Sequence, residues 1–208
     1  MSILAFADIQ FGYSSETHLR LSGSRIDLES GSALGLIGGN GTGKTTLLRI
    51  LAGVLDGHTG TLEISRGSSR LLIPADLTQL LLPWYSVRKN IALLAAARLR
   101  LPEKSQTDAE ARLAFLLDDA RATALMRRPT WGISTGQRAV IALTAALLRG
   151  PDILLLDEIF ANTSLKTGTR IAQSLKEYCA KGGILVFTSH RPDVVARLAT
   201  KILDLEAA

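Results

Sequence analysis

Residues Ala33–Leu48 read ALGLIGGNGTGKTTLL and carry the strongest fold signal in the 208-residue chain. A short apolar run comes first, then the glycine-rich segment Gly38–Thr45, then apolar residues at helical spacing. This order predicts a buried strand, a loop and a helix over Lys44–Leu55. Gly38–Thr45 matches the pattern G-x-x-x-x-G-K-[ST] in full, which is typical of a loop that wraps phosphate.

The residue types in this loop suit phosphate chemistry. Glycines let the backbone approach closely, so that its N–H groups face phosphate oxygens. Lys44 would neutralise the β- and γ-phosphates, and the Thr45 hydroxyl can hold Mg²⁺. A glycine-rich turn that merely caps a helix is the alternative, but the position between strand and helix favours the phosphate site. The predicted nucleotide-binding residues of this segment are Gly38, Gly39, Asn40, Gly41, Thr42, Gly43, Lys44, Thr45 and Thr46.

A second element, Ile153–Leu156, is four apolar residues followed by Asp157 and Glu158. At the carboxyl end of a central parallel strand, Asp157 would reach a water bound to Mg²⁺, and Glu158 would polarise the attacking water. A core strand with acidic residues at its solvent end is the alternative. By itself that alternative is equally good, and the phosphate loop elsewhere in the chain disfavours it.

The rest of the chain alternates strand-like and helix-like segments, which predicts an α/β fold with a mostly parallel sheet covered on both faces. Hairpin-like antiparallel β structure is expected at the N-terminus, and the Ala/Leu/Arg-rich residues 79–133 predict an inserted helical part. The expected strands lie at Ser2–Tyr13, Arg25–Leu28, Thr61–Ser65, Arg70–Ile73 and Ile184–Phe187, and the expected helices at Ser86–Arg100, Thr107–Met126, Gly136–Arg149 and Leu165–Ala180.

Composition excludes several classes of protein. A content of 47% hydrophobic and 21% charged residues argues against disorder. The apolar runs are much shorter than the ~20 residues that cross a bilayer. The single cysteine, Cys179, cannot form an intramolecular disulfide, and the first residues lack a basic leader. We therefore expect one folded domain in the cytoplasm.

Residues Ile133–Gln137 read ISTGQ directly before a predicted helix. Together with the phosphate loop and the acidic strand end, this segment resembles the ATP-binding subunit of ABC transporters, and the resemblance covers nearly the whole chain. It implies the ABC ATPase fold, a P-loop NTPase core of about residues 1–78 and 134–208 with a helical subdomain at about 79–133. It also implies an ATPase that binds ATP and Mg²⁺, dimerises with a second ATPase subunit around two nucleotides, and acts on a transmembrane permease at the inner face of the membrane.

The resemblance assigns further site residues. Ser134, Gly136 and Gln137 match the signature that one subunit presents to the γ-phosphate on the other. The local sequence is equally compatible with Ser134 being only the N-cap of the following helix. His190, which ends VFTSH, looks like the switch histidine. Tyr13 looks like the aromatic residue that stacks on adenine, and Gln79 like the glutamine that reaches the metal. The implied catalytic set is Lys44, Glu158 and His190, and the implied metal set is Thr45, Gln79 and Asp157.

Four positions depart from the family pattern. Thr135 replaces a signature glycine, Ile159 replaces a proline, residues 161–164 lack the expected aspartate, and Leu77 stands where the glutamine is expected. The residues that bind nucleotide and attack it are kept. We therefore hypothesise a working but slow ATPase, or one that pairs with a different ATPase subunit.

Other functions remain as alternatives at this point. They are a soluble ABC-type ATPase that acts on nucleic acid or ribosomes, a small-molecule P-loop kinase, and a regulatory subunit with little turnover.

Residues Arg88–Arg128 hold nine basic and five acidic residues, +4 of the total charge of +5. Because this segment would face the permease and the anionic membrane surface, nucleic acid is disfavoured as a partner. Leu80–Ile91, which contains the sequence LLPW, resembles the segment that meets the permease, especially in importers of small anions such as sulfonates.

Overall fold

The computed structural model describes residues 3–12, 19–21, 25–96, 102–117 and 122–206. Its strands are β1 (Leu4–Phe11), β2 (Leu19–Arg20), β3 (Arg25–Leu28), β4 (Ala33–Ile37), β5 (Thr59–Ile64), β6 (Arg70–Ile73), β7 (Ile153–Leu156), β8 (Ile184–Thr188) and β9 (Lys201–Asp204). Its α-helices are α1 (Lys44–Ala52), α2 (Val87–Ala96), α3 (Glu103–Leu117), α4 (Ala122–Arg127), α5 (Thr135–Arg149), α6 (Leu165–Ala180) and α7 (Pro192–Leu198), and short 3₁₀ turns lie at Leu77–Gln79 and Thr130–Gly132.

Five strands form a parallel sheet in the order β6-β7-β8-β4-β9. Every residue of β7 and β8 is buried, which matches the apolar sequence of β7 and of β8 up to its last residue, Thr188. A separate antiparallel sheet forms around β1, which pairs with β2, β3 and β5. The α/β class, with a parallel sheet and an N-terminal antiparallel sheet, is confirmed.

Two apolar cores lie against the parallel sheet. Successive side chains of a strand point to opposite faces. Leu154 and Leu156 of β7 accordingly join the core formed with α2 to α7, whereas Ile153 and Leu155 join the core formed with α1 and the antiparallel sheet. The central strands are thus covered on both sides, and their positions are fixed by packing from above and below.

Several predicted elements differ from the structure. The prediction of one helix over Thr107–Met126 is wrong, because this part of the chain forms two helices, α3 and α4. The Thr123 hydroxyl of α4 donates to Glu110 of α3 across 3.3 Å, and two residues thirteen positions apart in one continuous helix could not come so close. Residues 118–121 lie outside the described part, as do residues 97–100 of the predicted helix Ser86–Arg100. The helix at Leu165–Ala180 is confirmed, and α7 and β9 had not been predicted.

No helix in the described part of the chain combines the length and the apolar character needed to cross a membrane.

Packing at the centre of the parallel sheet should contribute strongly to the free energy of unfolding. Phe187 in β8 is fully buried and meets Phe160 edge to face, with ring centres 6.4 Å apart. We expect Phe187→Ala to lower the free energy of unfolding by about 3–5 kcal/mol, because it leaves a cavity between packed layers. Urea unfolding followed by far-UV circular dichroism measures this loss. The control Val54→Ala, at a side chain that is 64% exposed, should change stability by less than about 0.5 kcal/mol. Equal losses in both variants would contradict the packing argument.

Candidate functional site

The residues predicted to bind phosphate and metal or to act in catalysis lie together at the carboxyl ends of the parallel strands. The loop Gly38–Gly43 follows β4, the two acidic residues Asp157 and Glu158 follow β7, and His190 follows β8. Part of the loop, the first turn of α1 and these three side chains line one cavity of about 280 Å³. Clefts at this edge are where open parallel sheets bind ligands.

The N-terminus of α1 is built to receive an anion. Its N-cap, Gly43, has a left-handed backbone (φ 94°) and offers no side-chain cap, and no acidic residue lies in the first turn. The first backbone N–H groups of a helix lack partners within the helix, and the helix dipole adds positive potential there. Lys44 is 9% exposed and donates from Nζ to the carbonyls of Gly38 (2.8 Å) and Gly39 (2.6 Å), so its charge is held within the loop.

A pair of oxygen donors beside the loop fits a magnesium ion. The Thr45 hydroxyl donates to Asp157 Oδ2 across 2.8 Å, and Asp157 is 4% exposed. Mg²⁺ prefers such oxygens and is commonly held by one or two carboxylates together with substrate phosphates. Across the described ranges no group of three or more His, Cys, Asp or Glu residues could hold a metal by itself. The donor set therefore fits Mg²⁺ bound along with a nucleotide.

Thr188 sets the positions of both acidic residues. Its buried hydroxyl donates to Asp157 Oδ1 (2.8 Å) and accepts the backbone N–H of Glu158 (2.9 Å). Thr188 is not among the residues predicted from the sequence, because a threonine in a strand is ordinary and gives no signal of a polar contact. The one available signal was that Thr188 carries the one hydroxyl group in an otherwise apolar, buried strand.

Glu158 is held in an uncommon conformation and faces His190. Its backbone φ is 49°, a left-handed conformation that costs a non-glycine residue about 1 kcal/mol and clusters at functional sites. Glu158 Oε1 lies 3.3 Å from His190 Nε2. The two groups are not aligned as a hydrogen bond, so this buried oxygen has no hydrogen-bond partner within the described residues. Glu158 lines the cavity beside the loop, so its carboxylate lies next to the space that a bound nucleotide and a water would occupy.

The predicted signature residues lie outside this cavity. Ser134 is the N-cap of α5, and it forms a capping box in which Ser134 Oγ accepts the N–H of Gln137 and Gln137 Oε1 accepts the N–H of Ser134. Gly136 packs against the carbonyl of Asn162, where an added Cβ would stand 2.5 Å from the oxygen. Within one chain these three residues therefore stabilise a helix start and do not line the nucleotide cavity.

Two further predicted residues are not brought to the cavity. Gln79 Nε2 donates to Asp76 across 3.1 Å at an exposed 3₁₀ turn. Hydrogen bonds from the Thr78 hydroxyl, the Thr78 N–H and Gln79 lower the pKa of Asp76. The metal role of Gln79 stays a prediction. Tyr13 lies outside the described residues, and its role at adenine also stays a prediction.

Comparison with known proteins settles the family. Residues 21–161, more than half of the chain, match the family model described as ABC transporter. The chain belongs to the ABC transporter family. It is 32% identical over 201 residues to the aliphatic sulfonates import ATP-binding protein SsuB 2 of Nocardia farcinica, covering 96% of this chain and 78% of that protein. It is also 32% identical over 181 residues to the cytochrome c biogenesis ATP-binding export protein CcmA of Novosphingobium aromaticivorans, covering 84% of this chain and 83% of that protein.

Solved structures show the same ABC fold. The chain aligns with an ATP-binding subunit of an ABC transporter at a TM-score of 0.80 and 22% identity, covering 98% of this chain and 85% of the other. It aligns with a nucleotide-free ATP-binding cassette at a TM-score of 0.78 and 20% identity, covering 98% and 87%. Together with the family match and the sequence relatives, these folds confirm the resemblance to the ATP-binding subunit of ABC transporters.

The Thr188 bridge in this ABC subunit generates a second prediction. Thr188→Val keeps the shape but leaves Asp157 Oδ1 and the Glu158 N–H without the bridging hydroxyl, which should lower the free energy of unfolding by about 1–3 kcal/mol. The matched control is Thr144→Val in α5, also fully buried, whose hydroxyl donates to the Val140 carbonyl. That carbonyl keeps its helical hydrogen bond, so the control should lose less than about 1 kcal/mol. Urea unfolding of both variants tests the bridge, and equal losses would contradict it.

Proposed function

We propose that the chain is an Mg²⁺-dependent ATPase that dimerises around nucleotide and supplies energy to a membrane permease. One observation carries the proposal: Lys44, the Thr45–Asp157 pair and the Glu158–His190 pair line a single cavity at the sheet edge. The family match supports it as well. Because the relatives include an importer and an exporter, the proposal concerns the energy supply and not the cargo.

Each side chain has a task that follows from its surroundings. Bound Mg-ATP supplies a phosphoanhydride bond whose hydrolysis is strongly favourable. Lys44 and backbone N–H groups of the loop and of the first turn of α1 neutralise phosphate charge. Thr45 and Asp157 provide oxygens for the metal. Glu158 orients a water molecule and accepts its proton, and His190 adds a donor beside it.

The position of the signature residues supports the dimer. Ser134 and Gly136 lie at the start of α5, outside the cavity of their own chain, and the contact of Gly136 with Asn162 joins the signature and residues 161–164 in one surface. Leu165, directly after this surface, is 74% exposed. A second subunit seated here would cover this apolar side chain and place the start of α5 near the other subunit's nucleotide.

Two exposed tryptophans support docking to a permease. Trp84 and Trp131 are 69% and 70% exposed. They lie on neighbouring segments joined by a bridge between Ser86 and Pro129 and by the hydrogen bond from Trp131 N to Pro83 O (3.2 Å). Large exposed aromatic side chains at one place are typical of the energetic centre of a protein interface. We name Trp84 and Trp131 the tryptophan pair and propose that it contacts the permease.

ATP hydrolysis is tested with Glu158→Gln. The amide can no longer accept a proton, so turnover of Mg-ATP should fall about 10²–10⁴-fold while ATP binding is kept. ATP should then drive stable dimers, seen by light scattering, and Lys44→Ala should abolish both binding and dimers. A monomeric Glu158→Gln variant at saturating Mg-ATP would contradict the homodimer. Undetectable ATPase activity of the unmodified chain, even with its permease, would overturn the enzyme assignment.

Docking is tested by truncating the tryptophan pair to alanine. The double variant should lose most of its co-purification with a polytopic membrane protein from the organism that makes the chain, because Trp residues at interface centres each contribute about 2 kcal/mol or more. Its basal ATPase activity in solution should stay unchanged. Ile202→Ala, at a 55% exposed side chain on β9, is the matched control and should co-purify as the unmodified chain does. Full co-purification of the double variant would refute this docking surface.

A further inference from the structure

An acidic side chain from the end of the chain contacts the phosphate loop. Glu206 Oε1 accepts the backbone N–H of Gly39 across 2.6 Å. Gly39 is inside the glycine-rich segment, and a Cβ at this position would stand 2.5 Å from the same carboxylate oxygen. The site chemistry described above does not use this contact.

The register of β9 holds Glu206 in place. Asp204 lies opposite Ile37, and the N–H of Leu205 donates to the Ile37 carbonyl (3.0 Å). The N–H of Glu206 then donates to Asp204 Oδ1 (3.0 Å). Since β9 is paired directly with the strand that leads into the loop, Glu206 is positioned by the same sheet as the loop itself.

The contact links the carboxylate to the loop lysine through one peptide group. The carbonyl of the Gly38–Gly39 peptide accepts from Lys44 Nζ, and its N–H donates to Glu206. A peptide held between a cation and an anion is oriented by both, and each bond strengthens the other. At the same time the negative charge of Glu206 opposes the positive potential that Lys44 and the α1 N-terminus create.

We infer that Glu206 is a positioning residue with two opposed effects: it orients the Gly38–Gly39 peptide and lowers the affinity of the loop for nucleoside triphosphate. The inference rests on the proposed function, since it concerns the strength of ATP binding at that site. It assigns to β9 and the residues after it a part in setting nucleotide affinity.

Two substitutions separate the effects. Glu206→Gln keeps an oxygen that can accept from Gly39 but removes the charge, so it should bind Mg-ATP roughly two- to fivefold more tightly than the unmodified chain at about 0.05 M KCl. Glu206→Ala removes both the acceptor and the charge, and it should bind more weakly than Glu206→Gln. The measurement is isothermal titration calorimetry, which needs no turnover. At about 0.5 M KCl the gain of Glu206→Gln should disappear, because salt screens the charge.

The matched control is Glu177→Gln. Glu177 is an exposed acidic residue near the end of α6 and shares a cavity with Asp152 and Gly183, which precede β7 and β8. It therefore lies at the amino ends of the strands, away from the loop, and the substitution changes the net charge equally without touching the loop. Its ATP affinity should equal that of the unmodified chain. Glu206→Gln binding no more tightly than the unmodified chain, or Glu177→Gln showing the same gain, would overturn the inference and leave the proposed function intact. An unmodified chain that binds no ATP would overturn both.

Discussion

The parallel pairing of β4 with β8, and of β8 with β7, is the constraint on which the site depends. Leu36 lies opposite Thr188, and Leu156 lies opposite Phe187. All three strands therefore end at one edge, where the loop, the acidic pair and the histidine emerge together. A slip of one residue would turn the Thr188 hydroxyl to the other face of the sheet and away from Asp157. The chemistry thus depends on strand register as much as on the motif residues.

The meeting of the loop, Asp157, Glu158 and His190 at one edge could be predicted, because each comes within two residues of the end of a strand that its own apolar sequence reveals. The fold class could be predicted for the same reason. The contact of Glu206 with Gly39 could not, since it joins positions 167 residues apart through a short strand with weak local signal. The break between α3 and α4 could not be predicted either, because an Ala- and Leu-rich sequence favours helix without showing where one helix ends.

The structure gives a physical reason for the altered signature. Gly136 needs to be glycine because the Asn162 carbonyl of the same chain occupies the space of a side chain. Thr135 is exposed at the first position of α5, where a side chain meets no such obstacle. A β-branched residue is therefore compatible with the fold at position 135. Ser164, the last residue of the segment 161–164 that lacks the expected aspartate, caps α6 by accepting from Thr167 N (3.1 Å). Two of the departures, at Thr135 and in residues 161–164, are thus compatible with the local packing and hydrogen bonding.

The tryptophan pair has a consequence for observing the protein. The chain contains two tryptophans, and both are on this one exposed surface. Indole emission depends on the polarity around the ring, so the tryptophan emission of the chain, when excited selectively over its three tyrosines, originates from that surface. The subunit therefore carries a built-in optical reporter of whatever covers it, one that requires no label and stays silent to repacking of the buried core.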